Sequence, residues 1–117
     1  MLLTPDLHAQ LLRNGRRQQP IKGTERELDF WPVAKLFTPD ASATWLLSEL
    51  DPQDPDLAFG LCDLGLGSPE LGYVRISELE AVRGRLGLPI ELDRHFRANK
   101  PLSAYAREAR ATGQITA

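Results

Sequence analysis

Few side chains in this sequence are of a type and spacing that suggest chemistry. The turn Asp51-Pro52-Gln53-Asp54-Pro55-Asp56 offers three carboxylates of the kind a hard cation takes. A calcium loop also needs a central glycine and a distal glutamate in register, and two prolines interrupt this run, so it reads as a solvated turn. Gly65-Leu66-Gly67-Ser68 could cradle a phosphate, but it lacks the lysine and the following helix of a phosphate loop and is more simply a strand connection. His8 and His95 are the only imidazoles and lie far apart in the chain. Cys62 is the only cysteine, which excludes an intrachain disulfide and a thiolate zinc site; in an apolar strand it is expected to be an inert buried thiol. A His–Cys nucleophile stays open on sequence alone, but no catalytic residue, metal ligand or cofactor site is assigned.

Strand alternation offers a second kind of site. Period-two counting puts Lys35 with Phe37, Trp45 with Leu47 and Glu49, and Tyr73 with Arg75 on shared faces. With aligned registers, Lys35, Trp45, Glu49, Glu70 and Tyr73 form a candidate binding surface for a peptide, an extended strand or a planar ligand, with the two aromatics as amphipathic anchors. The plainer alternative packs the aromatics under a helix and pairs Lys35 with Glu49 at the sheet rim. A third possibility is acid–base chemistry near Lys35, Glu49 and Tyr73.

Charge is segregated along the chain. The net charge of −2 excludes a uniformly basic nucleic-acid binder, yet residues 39–80 carry nine acids against the single base Arg75. Residues 81–117 carry seven bases against three acids. Arg83, Arg85, Arg94, Arg97 and Lys100 are therefore candidate nucleic-acid contacts, with His95 and Phe96 available to stack on a base. The acidic middle opposes that reading, and an internal electrostatic match between the two halves explains the same pattern.

The elements that must position these groups are α+β. Thr4 and Pro5 read as an N-cap and first-turn proline of a helix that places Leu7, Leu11 and Leu12 on one face and ends at Asn14-Gly15. Arg16 to Asp29 has no sustained period and reads as a connecting arm. Four β-like runs follow, Val33–Thr38, Ala43–Glu49, Leu57–Leu64 and Leu71–Ile76, and their short connections predict an antiparallel meander. Ser77 and Glu80 have capping-box spacing, predicting a helix that buries Leu79, Val82 and Leu86 before the extended segment Leu88-Pro89-Ile90. Pro101 opens a last helix containing Ala106 and Ala109, which fades after Thr112-Gly113. The expected architecture is a small antiparallel sheet of four strands with an N-terminal helix, a helix after the last strand and a C-terminal helix. The chain of 117 residues, 42% hydrophobic, is expected to be one domain: an N-terminal helix and arm over 1–32, a core over 33–102, and a C-terminal helix and tail over 103–117. The lone cysteine and the absence of a signal-like start or an apolar run of membrane length suggest a cytoplasmic protein with no membrane partner.

The blocks Lys35-Leu36-Phe37-Thr38-Pro39-Asp40, Thr44-Trp45, Phe59-Gly60, Pro69-Glu70-Leu71-Gly72-Tyr73, Ser77-Glu78-Leu79-Glu80 and Gly87-Leu88-Pro89-Ile90-Glu91 follow one another in an order and spacing that resemble the bacterial DUF2958 family, from Val33 to Leu102. Leu47 and Leu61 depart from it, standing where the family often has Tyr. The resemblance implies a small bacterial protein of the kind carried by plasmids, phages and other mobile elements, and it supplies no catalytic residues. The expected function is a non-enzymatic module with a protein partner, an accessory or host-defence-modulating protein of a mobile element; a nucleic-acid-binding accessory protein and a small enzyme are the alternatives.

Overall fold

The computed structural model describes residues 1–117. Helix α1 (Pro5–Gln18) starts where the sequence predicts, with the Thr4 hydroxyl accepting from Leu7 N at 3.2 Å and Pro5 in the first turn. It does not stop at Asn14-Gly15. Leu11, Asn14, Gly15 and Gln18 fall at three- and four-residue spacing and are its buried stripe. Gly15 is required by proximity rather than by a turn: a Cβ there would stand 1.7 Å from the carbonyl oxygen of Leu50. A short 3₁₀ turn (Gln19–Ile21) then leads into the arm.

The strands are β1 (Ala34–Phe37), β2 (Thr44–Asp51), β3 (Asp54–Asp63), β4 (Glu70–Arg75) and β5 (Glu91–Leu92), in the order β4-β3-β2-β1-β5 with every pairing antiparallel. The expected four-stranded meander is present. A fifth strand extends it, because the segment after Leu88-Pro89-Ile90 returns to pair Leu92 with Leu36 and Glu91 with Phe37; two residues are too short a run to show alternation.

Helix α2 (Ile76–Ala81) follows β4 but is not held by a capping box. Asp56, across the sheet edge, accepts from Ser77 N at 2.9 Å and from the Ser77 hydroxyl at 2.7 Å, while Glu80 accepts from Leu2 N at 3.1 Å. Both halves of the expected box are thus spent on other partners. The helix ends at Ala81 and buries only Leu79; Val82 and Leu86 are exposed. Helix α3 (Leu102–Thr112) ends on left-handed Gly113, as its sequence suggests.

The sheet separates two cores. On one face Ala34, Leu36, Trp45, Leu47, Leu50 and Ala58 pack with Leu11 of α1, Leu79 of α2, Leu3 and Ile90. On the other, Leu46 and Leu61 pack with Leu102, Tyr105, Ala106 and Ala109 of α3. No helix is long and apolar enough to cross a membrane.

Candidate functional site

A bulge in β2 creates the most distinctive site. Pairing with β3 runs Trp45 to Cys62, Leu46 to Leu61 and Leu47 to Gly60, then jumps so that Glu49, not Ser48, stands opposite Phe59. Ser48 is the extra residue. Its carbonyl accepts from the Asn14 side chain at 2.9 Å, and its hydroxyl donates to Phe59 O at 3.3 Å, so α1 and β3 fix the bulge from both sides. One inserted residue reverses every later side chain. Leu50 therefore joins Trp45 and Leu47 in the α1 core, and Glu49 is turned to the α3 face.

On that face Glu49 meets Phe59 and Tyr73, which are opposite one another across β3 and β4. The two rings make an edge-on contact at 5.1 Å. Helix α3 covers Leu46 and Leu61 but leaves this end of the sheet open, with Leu71 37% and Tyr73 47% exposed. The N-terminal arm closes the side instead. Gln18 holds Leu28 through both backbone groups, donating to its carbonyl at 2.7 Å and accepting from its amide at 2.8 Å. Asp29 then caps α3, whose own N-cap is Pro101 and has no side-chain acceptor: its carboxylate accepts from Ser103 N at 3.2 Å and from the Ser103 hydroxyl. The Leu102 amide donates to Phe30 O at 2.9 Å.

Two adjoining clefts result, and Glu49 lines both. The smaller, about 120 Å³, is bounded by Gly15, Gln19, Lys22, Asp51, Pro52 and Tyr73. Lys22, from the arm, donates to the Tyr73 hydroxyl there. The larger, about 300 Å³, has an apolar wall of Leu28, Phe30, Phe59, Leu71 and Leu102 and carries the acids Glu27, Asp29 and Glu49 with no basic residue. Glu49 is half-buried and forms no ion pair. Burial pushes its carboxyl above the ordinary range, against the opposing effects of the Gln18 amide and the Lys22 ammonium. The Tyr73 hydroxyl, set against a loss of solvation, raises the Lys22 ammonium.

The surface read from strand alternation is accordingly divided. Glu49 and Tyr73 come together on the α3 face. Trp45, 4% exposed, is core beneath α1, and Glu70 belongs to its side of the sheet, since both pair with Cys62. Lys35 does not pair with Glu49; it forms an ion pair with Asp93 at 3.5 Å and donates to Ala117 O at 2.6 Å. The lysine near Glu49 and Tyr73 is Lys22, which no period in the arm marked out. A signal for the bulge was present: Trp45, Leu47 and Leu50 can share one face only if a residue is extra between the last two.

The five candidate basic residues fall into four settings, Arg94 and Arg97 sharing one. Arg83 donates to the carbonyls of Glu80 and Val82 at 3.0 and 2.8 Å. Arg85 is exposed in a loop that Asp40 pins by accepting from Leu86 N and Leu88 N at 2.7 and 3.3 Å. Arg94 and Arg97 share a cleft of about 260 Å³ with Thr4, Asp6 and Phe96. Lys100 pairs with Glu108 at 2.8 Å and lies 4.3 Å from the Tyr105 ring centroid. The expected acidic turn is only Pro52-Gln53: Asp54 and Asp56 lie in β3 and face Arg75 at 3.0 and 3.7 Å, so two of its three carboxylates serve the sheet edge. Cys62 is half-buried and burial raises its thiol, which disfavours the thiolate. No group of His, Cys, Asp and Glu converges to hold a metal ion.

The family model described as "Protein of unknown function (DUF2958)" matches residues 2–116. The chain belongs to this family. The match takes in α1, the arm and α3 as well as the central blocks, so the elements that enclose Glu49 all lie within the family domain. No curated protein and no solved structure matches the chain.

Proposed function

We propose that this DUF2958 protein is a non-enzymatic protein-interaction module whose contact surface is the open end of the α3 face, around Glu49, Leu71 and Tyr73. One observation carries the reading: apolar and aromatic side chains are left exposed beside a half-buried carboxylate that has no ion-pair partner within the chain. Exposed aromatic area next to an unneutralised charge is what a protein interface completes on binding. The cellular setting proposed is an accessory protein of a mobile genetic element, acting in the cytoplasm. Pull-down from the native host, with and without nuclease and at low and moderate salt, tests the reading. A protein partner that survives nuclease and is lost on replacing Leu71 and Tyr73 by Asp and Ala is expected; recovery of nucleic acid alone, or of the same partner by both baits, contradicts it.

A second reading, acid–base chemistry in the smaller cleft, draws on the Lys22–Tyr73 contact beside Glu49. It requires a small substrate that shifts the amide spectrum of Gly15, Gln19 and Tyr73, and fails if a broad metabolite panel leaves those signals unmoved.

A further inference from the structure

We propose that the larger cleft receives an arginine side chain of the protein partner, its methylene stem against Phe59, Leu71 and Leu102 and its guanidinium at Glu49 and Glu27. This deepens the interaction reading above and rests on it.

Size, charge and wall chemistry favour this occupant. At about 300 Å³ the cleft lies at the bottom of the roughly 300–1,000 Å³ range of sites for drug-sized ligands, which suits one long side chain better than a nucleotide or a folded cofactor. Its charged lining is Glu27, Asp29 and Glu49, with no base. None of the three is ion-paired within the chain; Asp29 is taken up with Ser103, one Glu27 oxygen accepts from Gly23 N at 2.8 Å, and Glu49 is the most buried of them. Lys22 lies on the far side of Glu49, in the smaller cleft, and is turned to Tyr73. A carboxylate in a half-buried setting rewards a cation that brings little hydration of its own, and a guanidinium is more weakly hydrated than an ammonium. Its planar fork also matches a carboxylate bidentately and stacks on aromatic rings, of which Phe59 and Phe30 line the wall. The protein already uses such a contact nearby, where the Arg17 guanidinium lies 5.5 Å from the centroid of Phe30.

The test is an amide-resolved NMR titration of the full chain with N-acetyl-argininamide, and with N-acetyl-citrullinamide as a probe of the same shape without charge. An isolated arginine amide is expected to bind with a dissociation constant of roughly millimolar order. Saturable shifts at Leu28, Ser48, Phe59 and Leu71 are expected with the arginine probe, with affinity at least about tenfold weaker for citrulline and for Glu49→Gln, as loss of a charge-assisted pair implies. Glu91→Gln, an exposed acid on β5, should leave the titration unchanged. Equal shifts from both probes, insensitivity to Glu49→Gln, or no saturable shift overturns the proposal. If the arginine probe fails while host pull-down still depends on Leu71 and Tyr73, the interaction reading stands and the arginine occupant falls.

Discussion

The two faces of the sheet are built on different terms. Beneath α1 and α2 the face is closed: Leu36, Leu47, Leu50 and Ala58 have no exposure and Trp45 almost none. Beneath α3 the closure is partial, and at the β4 end the wall is replaced by an arm held through Gln18–Leu28 and Asp29–Ser103. One face holds the larger buried cluster; the other keeps Leu71 and Tyr73 exposed and a carboxylate in a setting that disfavours its charge. The link between them is the Ser48 bulge, through which Leu50 stays in the closed core while Glu49 is delivered to the open face.

Substitutions should separate the faces by size of effect. Trp45→Ala should cost about 3–5 kcal/mol in denaturant unfolding, the range for truncating a buried aromatic. Gly15→Ala should cost about 3 kcal/mol, since the new methyl meets a backbone carbonyl that cannot step aside without moving α1 off β2. Tyr73→Ala, half exposed, loses the edge contact to Phe59 and the exposed contact with Lys22, and should cost about 0.5–1.5 kcal/mol. Comparable losses at Trp45 and Tyr73 would erase the distinction between a closed face and an open one.

Glu49→Gln should have the smallest effect and the opposite sign. Because burial raises the Glu49 carboxyl, the native protein holds its proton more tightly than the unfolded chain, and the wild type loses stability as pH rises from the ordinary value of 4.5 through the raised one. The glutamine variant lacks that loss. Its thermal midpoint should exceed the wild type's at neutral pH, and the gap should narrow on acidification toward pH 4.5. Asp93 works the other way, since the His95 amide and then the Lys35 ammonium hold its carboxyl down; its contribution is present at neutral pH and lost on acidification. A pH series on Glu49→Gln and Asp93→Asn therefore gives slopes of opposite sign, and parallel slopes would refute the contrast.

The parts of this arrangement visible in the sequence are those decided by local chemistry. Thr4 and Pro5 start α1, Gly113 ends α3, and Pro39-Asp40 and Pro52-Gln53 turn the meander, because each acts within a few residues of itself. The misread points are those decided by distant partners. Asn14-Gly15 has the composition of a helix stop, but Ser48 O and the close approach of Leu50 hold it inside the helix. Ser77 and Glu80 have the spacing of a capping box, but Asp56 and Leu2 take them. The candidate site is half legible: strand alternation picks out Glu49 and Tyr73, but counting by twos without the bulge puts Trp45 on the Glu49 face, and Lys22 arrives from an arm without periodicity.

The most direct measurement is photo-cross-linking in the native host with a light-activated residue at Tyr73, compared with one at Leu86, which is 80% exposed on the loop after α2. The open-face account predicts a discrete protein adduct from Tyr73 that is absent from Leu86 and diminished by Glu49→Gln. Adducts from Leu86 alone, or equal adducts from both positions, would contradict it.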